Sequence, residues 1–147
     1  MTARDRFVLV RQQVVEMDML RALLEESGDD WHPEGVKGSG ISDPTANRAA
    51  YNVDVLGDKL DEMRARLEEL EDSIGLALAI IEGVRVGLGD IYAELLDQRY
   101  IDGLPWKFVT YQGEVVKKST GKAKVALAFD WIDSLGIAKI LGGDYEI

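Results

Sequence analysis

Residues 53–95 read VDVLGDKLDEMRARLEELEDSIGLALAIIEGVRVGLGDIYAEL, and the spacing of their apolar side chains decides the fold. Apolar residues recur at alternating steps of three and four residues, without a break, over six seven-residue repeats. This pattern is typical of a supercoiling helix whose apolar side another helix must cover. We call that side the heptad seam; its residues are Val53, Leu56, Leu60, Met63, Leu67, Leu70, Ile74, Ala77, Ile81, Val84, Leu88, Ile91 and Leu95.

Both ends of this helix have signals in the sequence. Asp43 suits the N-cap position, and Pro44 suits the first helical position because its missing N–H has no partner there. Towards the other end lie Gly75, Gly83, Gly87 and Gly89. Each glycine costs about 1 kcal/mol of helix propensity, so the cluster indicates either the close approach of a partner helix or a break near Gly87–Gly89. We expect the long helix within residues 43–89 and a second element over residues 90–100.

A shorter helix precedes it. In residues 3–26 apolar side chains recur every three or four residues, which places them on one helical face. They are Phe7, Val10, Val14, Met17, Leu20 and Leu24. We assign residues 1–27 to this N-terminal helix and expect Gly28 to end it. Residues 28–42 hold four glycines and Pro33, which predicts a Gly-rich loop.

The heptad seam can be covered in two ways, either by a second copy of the chain or by helix 3–26 folding back on it. We favour oligomerisation, because helix 3–26 is long enough to cover only half of the 43-residue seam. The residues that we assign to a homodimer or higher oligomer are Val53, Leu56, Leu60, Met63, Leu67, Leu70, Ile74 and Ile81.

Residues 90–136 form the predicted C-terminal domain, whose middle is ambiguous. Leu104-Pro105-Trp106 is typical of a helix start. Residues 108–116, however, are rich in β-branched and aromatic side chains around Gln112-Gly113, which is typical of a two-stranded hairpin. Whether residues 107–118 are helix or hairpin stays open at this point.

A final helix follows this ambiguous region. Ser119-Thr120 predicts its N-cap, and Gly136 predicts its end. We expect its buried face to consist of Val125, Ala128, Phe129 and Ile132. Residues 137–147 contain Gly142-Gly143, and we expect them to be a fraying tail.

The charge is distributed unevenly along the chain. The total of 17 Lys+Arg against 27 Asp+Glu gives −10, which by itself argues against a nucleic-acid binder. Residues 1–102 carry 11 bases and 22 acids, whereas residues 103–129 carry five lysines against Glu114 alone. Any nucleic-acid contact is therefore expected from this basic block.

Catalytic chemistry is poorly supported. The chain has no cysteine, which excludes disulfides and thiolate sites. His32, the single histidine, lies among acids in the Gly-rich segment, where a solvated loop is more common than a metal site. The glycines of residues 35–40 lack the Gly-Lys-Ser/Thr ending of a phosphate loop. Residues 74–88 are apolar but too short to span a membrane. We therefore predict that the protein is not an enzyme, binds no metal or cofactor and does not contact a membrane.

The basic block carries the nucleic-acid hypothesis. Lysines neutralise phosphates and release counterions, and hydroxyls or amides at a helix N-terminus bond phosphate oxygens. If Ser119 caps the last helix, the lysines cluster at the end where a recognition helix meets the DNA groove. The residues that we assign to DNA binding are Lys107, Lys117, Lys118, Ser119, Thr120, Lys122 and Lys124.

A family resemblance strengthens this hypothesis. Residues 93–106 read AELLDQRYIDGLPW, and residues 126–132 read ALAFDWI. This region resembles the helix-turn-helix of sigma-factor region 4 and of phage transcription regulators of the ArpU/RinA type. In those families a helix ends in Arg-Tyr, a glycine turn leads to a Trp that opens a second helix, and an Ala-Leu pair closes the recognition helix. The matching positions are Leu95, Arg99, Tyr100, Gly103, Trp106, Val109, Ala126 and Leu127.

One departure from that pattern bears on the fold. The families place Gly-x-Ser before the recognition helix, where this chain has Gly113-Glu114-Val115-Val116. Residues 107–118 are therefore either a remodelled turn or a hairpin wing. In both cases we expect Trp106, Val109 and Leu127 to hold the core of the small domain.

The expected fold is mainly α-helical. A long coiled-coil-like helix, as a helical hairpin or a dimer, precedes a small C-terminal helix-turn-helix-like domain, with or without a short β-hairpin wing. The resemblance implies a phage or prophage transcription regulator in the cytoplasm of a bacterial host, with double-stranded DNA and RNA polymerase as partners. The heptad seam adds a second copy of the chain as a partner. The alternative is a non-enzymatic oligomeric phage interaction or assembly protein without DNA contact.

Overall fold

The computed structural model describes residues 1–30 and 43–146, and within them the side chains of residues 1–26 and 57–146. The helices of this part are α1 (Ala3–Asp30), α2 (Asp43–Gly87), α3 (Asp90–Leu96), α4 (Lys118–Leu135) and α5 (Ile137–Leu141). Two short antiparallel strands, β1 (Thr110–Tyr111) and β2 (Glu114–Val115), form a hairpin before α4. The predicted mainly α-helical fold with one long helix is confirmed.

The long helix ends where its glycines predict. Leu88 and Gly89 separate α2 from α3, and Gly89 has a φ of +149°, which residues with a side chain rarely adopt. A close approach is present as well, because a Cβ atom at Gly83 would collide with the side chain of Ile140. Both explanations of the glycine cluster are therefore correct, each at its own position.

The first helix is longer than predicted. The prediction that Gly28 ends it is wrong, since α1 continues through Gly28 to Asp30. One glycine inside a helix costs only about 1 kcal/mol, which is too little to stop a helix by itself. The rest of the predicted loop, residues 31–42 with His32 and the glycines that follow, lies outside the described residues.

The chain divides into two compact units, of which unit 1 consists of Met1–Val14 and Asp72–Ile147. At its centre, the ring centroids of Phe7, Tyr100 and Phe129 lie 5.6 to 5.7 Å from one another. Further buried side chains around this aromatic cluster are Ile74, Ile80, Val84, Leu95, Leu96, Val109 and Ile132. The predicted buried face of α4 is confirmed, because Val125, Ala128, Phe129 and Ile132 are all at most 5% exposed.

Unit 2 consists of Val15–Glu71 and has a different character. Ion pairs connect its two helical segments: Arg66 lies 2.9 Å from Glu16, and Arg21 lies 3.1 Å from Glu71. These side chains are roughly half exposed. Exposed ion pairs contribute little to stability, because water and salt screen them.

The described part of the heptad seam is buried unevenly. In unit 1 one copy of the chain buries Ile74, Ala77, Ile81 and Val84. In unit 2 Leu60 and Leu70 are buried, and Met63 and Leu67 between them are partly exposed. Val53 and Leu56 lie outside the described side chains. A single chain thus covers most of the unit 1 part of the seam, where Leu88 and Ile91 stay partly exposed, and oligomerisation stays a prediction.

The C-terminal residues do not form a frayed tail. They contain α5, and its Ile140 is only 2% exposed. Trp131 and Tyr145 lie with their ring centroids 6.0 Å apart. The expectation of a tail is therefore wrong in this respect, because contacts from distant parts of the chain stabilise a helix too short to form alone.

Candidate nucleic-acid interface

The hairpin in front of α4 has a two-residue turn. Thr110 pairs with Val115 and Tyr111 pairs with Glu114, which leaves Gln112-Gly113 as the turn. Both turn residues have positive φ, +52° at Gln112 and +82° at Gly113, as a type I′ hairpin turn requires. Residues 107–118 are therefore mainly a hairpin, which is one of the two alternatives that the sequence left open; the other was a helix.

Polar side chains of α3 and of the turn after it hold the hairpin in place. The side-chain amide of Gln98 donates to the carbonyl oxygen of Thr110 at 2.6 Å and accepts from its N–H at 2.9 Å. The hydroxyl of Tyr111 lies 3.1 Å from a carboxylate oxygen of Asp90. Partial loss of hydration, together with this hydrogen bond, raises the pKa of Tyr111. The hairpin is thus fixed to the helical part of unit 1.

Where the resemblance implies a second helix opened by Trp106, the chain forms only a single 3-10 turn, Trp106–Phe108. The backbone becomes extended at Val109 and enters β1 directly. The β-rich residues after the turn favour strand over helix, which explains the difference. Val109 is fully buried, as expected, and Trp106 is partly buried.

The N-terminus of α4 lies directly behind the hairpin. The N–H of Val116 donates to the carbonyl oxygen of Val109 at 2.9 Å and closes the hairpin, and α4 begins two residues later at Lys118. The prediction that Ser119-Thr120 caps this helix is wrong, because both residues already lie in its first turn. Lys117 occupies the cap position and makes no capping hydrogen bond with its side chain.

The first amides of α4 are consequently open. The first backbone bond into the helix runs from the N–H of Gly121 to the carbonyl of Lys117, at 2.8 Å. Among the described residues, none accepts a hydrogen bond from the N–H groups of residues 118–120. Open amides at the positive end of a helix dipole favour anionic ligands such as phosphate oxygens.

Four lysines lie at the cap position and in the first two turns of α4, and a fifth lies in the 3-10 turn that contacts this helix. We call them the lysine surface: Lys107, Lys117, Lys118, Lys122 and Lys124. Four are exposed; Lys124 is partly buried, with its Nζ 5.0 Å from the ring centroid of Tyr92. No ion pair joins any of the five to an acid within the described part of the chain. The helical rotation of about 100° per residue places Lys118 and Lys122 on one flank of α4 and Lys124 on the other.

Three apolar side chains are exposed near these lysines. Phe108 is 59% exposed and Val115 is 66% exposed, and the Nζ of Lys107 lies 5.1 Å from the ring centroid of Phe108. Leu127 of α4 is 47% exposed, so the expectation that it holds the core of the small domain is wrong. Its side chain points away from the buried face, which residues 125, 128 and 129 occupy.

Thr110, Tyr111 and Gln112 of the hairpin lie along an acidic groove. Its lining includes Asp90, Glu94 and Asp102, and Arg85 neutralises it in part through a 2.9 Å ion pair with Glu94. Burial, with Asp102 and Glu94 nearby, raises the pKa of Asp97. A negatively charged groove repels phosphates, which leaves the lysine surface as the side of this domain that attracts them.

Sequence reasoning did not predict the wide π-helical turn Asp97–Ile101, which continues α3. Such turns are rare and often occur at functional sites. The turn places Arg99 and Tyr100 in a cavity that Arg4 and Lys122 also line. No local pattern signals this grouping, because Arg4 lies far from the others along the chain.

Among the side chains that the structure describes, those of residues 1–26 and 57–146, no group of three or more His, Asp or Glu is placed to hold a metal ion. No helix in residues 1–30 and 43–146 has the length and apolar character to cross a membrane. No protein-family model, curated protein or solved structure matches this chain.

Proposed function

We propose that this chain is a DNA-binding transcription regulator that contacts the phosphate backbone through the lysine surface and the open N-terminus of α4. The observation that carries the proposal is the set of five lysines without acidic partners among the described residues, two of which, Lys117 and Lys118, lie at the start of α4 beside three amides without an acceptor. Lysines that neutralise phosphates release counterions, and this release drives binding to nucleic acid. The amides and the exposed hydroxyls of Ser119 and Thr120 add hydrogen bonds that set the orientation.

The charge distribution between the units supports the same assignment. Unit 1 holds eleven bases and twelve acids, whereas unit 2 holds six bases and fifteen acids. The acidity of the protein is thus concentrated in unit 2, and unit 1 is nearly neutral as a whole. Since five of its bases lie in the lysine surface, unit 1 presents a locally positive face to a polyanion.

Because a β-hairpin precedes α4, this interface differs from the helix-turn-helix of the families that the sequence resembles. Phe108 and Val115 are exposed next to the lysines, and apolar side chains of this kind insert between base steps in minor-groove binders. α4 takes the position of the recognition helix in the resemblance. The resemblance also supplies the context of transcription in a phage-infected or lysogenic bacterial cell, with RNA polymerase and a second copy of the chain as further partners.

The test is the salt dependence of binding to a covalently closed dumbbell duplex with a fluorescent label. We expect the logarithm of the affinity to fall with the logarithm of the salt concentration with a slope of about −3 to −5, for four or five phosphate contacts. Changing Lys117, Lys118, Lys122 and Lys124 together to Glu should abolish binding. Circular dichroism checks that the variant keeps its helices.

Two control variants sharpen this test. Lys139→Glu changes an exposed lysine outside the lysine surface, and should leave affinity and slope unchanged. Phe108→Ala should weaken binding without changing the slope, because the slope counts phosphates and not apolar contacts. A folded protein that does not bind the duplex at about 50 mM salt would refute the proposal.

One observation favours a second candidate, an oligomeric interaction protein. In the unit 2 part of α1, Val15, Met19 and Leu23 are 45%, 62% and 47% exposed, and their spacing of four residues places them on one helical face. Such a row is suited to a helix of a second copy. Sedimentation equilibrium tests it: Met19→Glu should dissociate the oligomer, and a monomeric wild-type protein would exclude this candidate.

A further inference from the structure

A cavity of about 310 Å³ in unit 1 brings together cationic side chains from three separate parts of the chain. Arg4 comes from the first turn of α1, Arg99 from the π-helical turn and Lys122 from α4. Tyr100, Trp106 and Val125 supply the rest of its described lining, and this lining includes no acid. The volume is at the lower end of the range of small-molecule sites, which begins at about 300 Å³.

The described side chains offer these three positive charges no ion-pair partner. Among the side chains of residues 1–26 and 57–146, no ion pair involves Arg4, Arg99 or Lys122. Gathering like charges without acids destabilises the folded chain, and an anion bound between them would relieve that repulsion. The arrangement therefore favours an anionic ligand.

The cavity is also held in a defined shape. The guanidinium of Arg99 donates to the carbonyl oxygen of Leu104 at 2.7 Å and lies 4.8 Å from the ring centroid of Trp106. The guanidinium of Arg4 lies 5.3 Å from the ring centroid of Phe129. Because these contacts restrain the two arginines before a ligand arrives, binding loses less side-chain entropy.

Trp106 is fixed from a second side. A Cβ atom at Gly121 of α4 would collide with its indole ring, so glycine is required there for the two to approach. Tyr100 belongs to the buried aromatic cluster, and burial raises the pKa of its phenol while Arg4 and Arg99 lower it. Its hydroxyl stays protonated at neutral pH and is a hydrogen-bond donor beside the two guanidinium groups.

We propose that this cavity binds a phosphate monoester, with Arg4, Arg99 and Lys122 as its charge partners. A monoester carries close to two negative charges at neutral pH and three strong acceptor oxygens, which suits three cations and a phenol donor. A backbone phosphodiester carries one charge and has sugars on both sides. The site therefore goes beyond the backbone contacts of the proposed function, with which it shares only Lys122.

The experiment uses isothermal titration calorimetry to measure the binding of thymidine 5′-monophosphate, and separately of thymidine, to the whole chain. We expect binding of the monophosphate and none of the nucleoside. Arg4→Gln should raise the Kd by about tenfold, the usual effect of losing one charge-assisted hydrogen bond. The matched control is Arg6→Gln, which removes the same charge two residues away on α1 without touching the cavity lining, and should leave the Kd unchanged.

Two further probes distinguish the sources of the phosphate. A preference for a 5′-phosphorylated oligonucleotide over the same strand with a 5′-hydroxyl, lost in Arg4→Gln, assigns the site to strand ends. Equal binding of both strands, with retained binding of the monophosphate, assigns it to a free nucleotide. Either result supports a monoester site.

The proposal is overturned if the monophosphate binds no better than thymidine, or if Arg6→Gln weakens binding as much as Arg4→Gln does. Binding of the closed dumbbell duplex, which has no phosphate monoester, reports on the lysine surface alone. Arg4→Gln should leave that binding intact, so failure of the cavity proposal and failure of the DNA proposal are distinguishable.

Discussion

Unit 1 and unit 2 each contain segments of α1 and α2, yet different forces stabilise the interior of each unit. In unit 1, Phe7, Tyr100 and Phe129 form a buried cluster, and most apolar side chains that face it are excluded from water. In unit 2, the described side chains contribute two buried leucines, Leu60 and Leu70, and several exposed ion pairs. The period of a heptad pattern is thus the same in both units, whereas the burial it produces is not.

This difference explains why both proposed sites lie in unit 1. Cations bind an anion well only when a rigid framework fixes them before the anion arrives. Unit 1 supplies that framework through its aromatic cluster, the anchored hairpin and α4. The described side chains of unit 2 form no extensive core, and its acids outnumber its bases by fifteen to six.

The largest loss of stability is expected from removing the aromatic ring at the centre of the unit 1 core. Phe7 is 0% exposed, and Phe7→Ala removes its contacts with Tyr100 and Phe129. We expect the free energy of unfolding to fall by about 3 to 5 kcal/mol. Urea denaturation followed by tryptophan fluorescence measures it, in a Trp31→Phe background so that Trp106 and Trp131 of unit 1 report.

The control for this experiment is Leu9→Ala on the same helix. Leu9 is 39% exposed, so its truncation should cost less than about 1 kcal/mol. If Phe7→Ala and Leu9→Ala have equal effects, the aromatic cluster does not stabilise unit 1 and the contrast between the units is wrong.

A smaller effect is expected where helices approach closely in unit 1. A Cβ atom at Gly83 would collide with buried Ile140, so Gly83→Ala should destabilise the protein by about 1 to 2 kcal/mol even after the gain in helix propensity. Gly75 lies in the same helix with nothing within 4 Å of a Cβ atom. Gly75→Ala should therefore stabilise the protein by up to about 1 kcal/mol.

The two glycine variants form a matched pair. Both add one methyl group to α2, so the gain in propensity is common to them and the difference between their thermal unfolding midpoints isolates the contact with α5. Stabilisation by both substitutions would mean that α5 does not pack closely against Gly83.

Local sequence patterns predicted those elements whose causes are local. The heptad period predicted α2, the glycine cluster predicted its end, Gln112-Gly113 allowed the hairpin, and the apolar spacing after residue 120 predicted the buried face of α4. In each case neighbouring residues share one face or one turn, and the required information lies within a few residues.

Elements whose causes are distant could not be predicted in the same way. Local preference favours Ser119 as an N-cap, but the hydrogen bond from Val116 to Val109 closes the hairpin and sets the start of α4 earlier. α5 depends on a glycine of α2, and the cavity unites Arg4 with Lys122. Such groupings arise from tertiary packing, which overrides local preferences.

The smallest effect is expected at the surface of unit 2. The hydrogen bond from Arg66 lowers the pKa of Glu16 below its ordinary value of 4.5, so the unfolded chain binds this proton more tightly than the folded one. The ion pair therefore contributes stability above the unfolded pKa and loses it as the pH falls through the folded pKa.

Carboxyl titration by NMR tests this surface prediction directly. The midpoint of Glu16 should lie below 4.5 in the wild-type protein and return towards that value in Arg66→Gln. Arg64→Gln is the matched control, because Arg64 lies on the same helix and pairs with Asp61 instead.

The thermal midpoint of Glu16→Gln should accordingly fall less than that of the wild type between about pH 5 and pH 3. Since the pair is exposed, salt should diminish this difference; a difference that persists in high salt would show that unit 2 depends on more than surface charge.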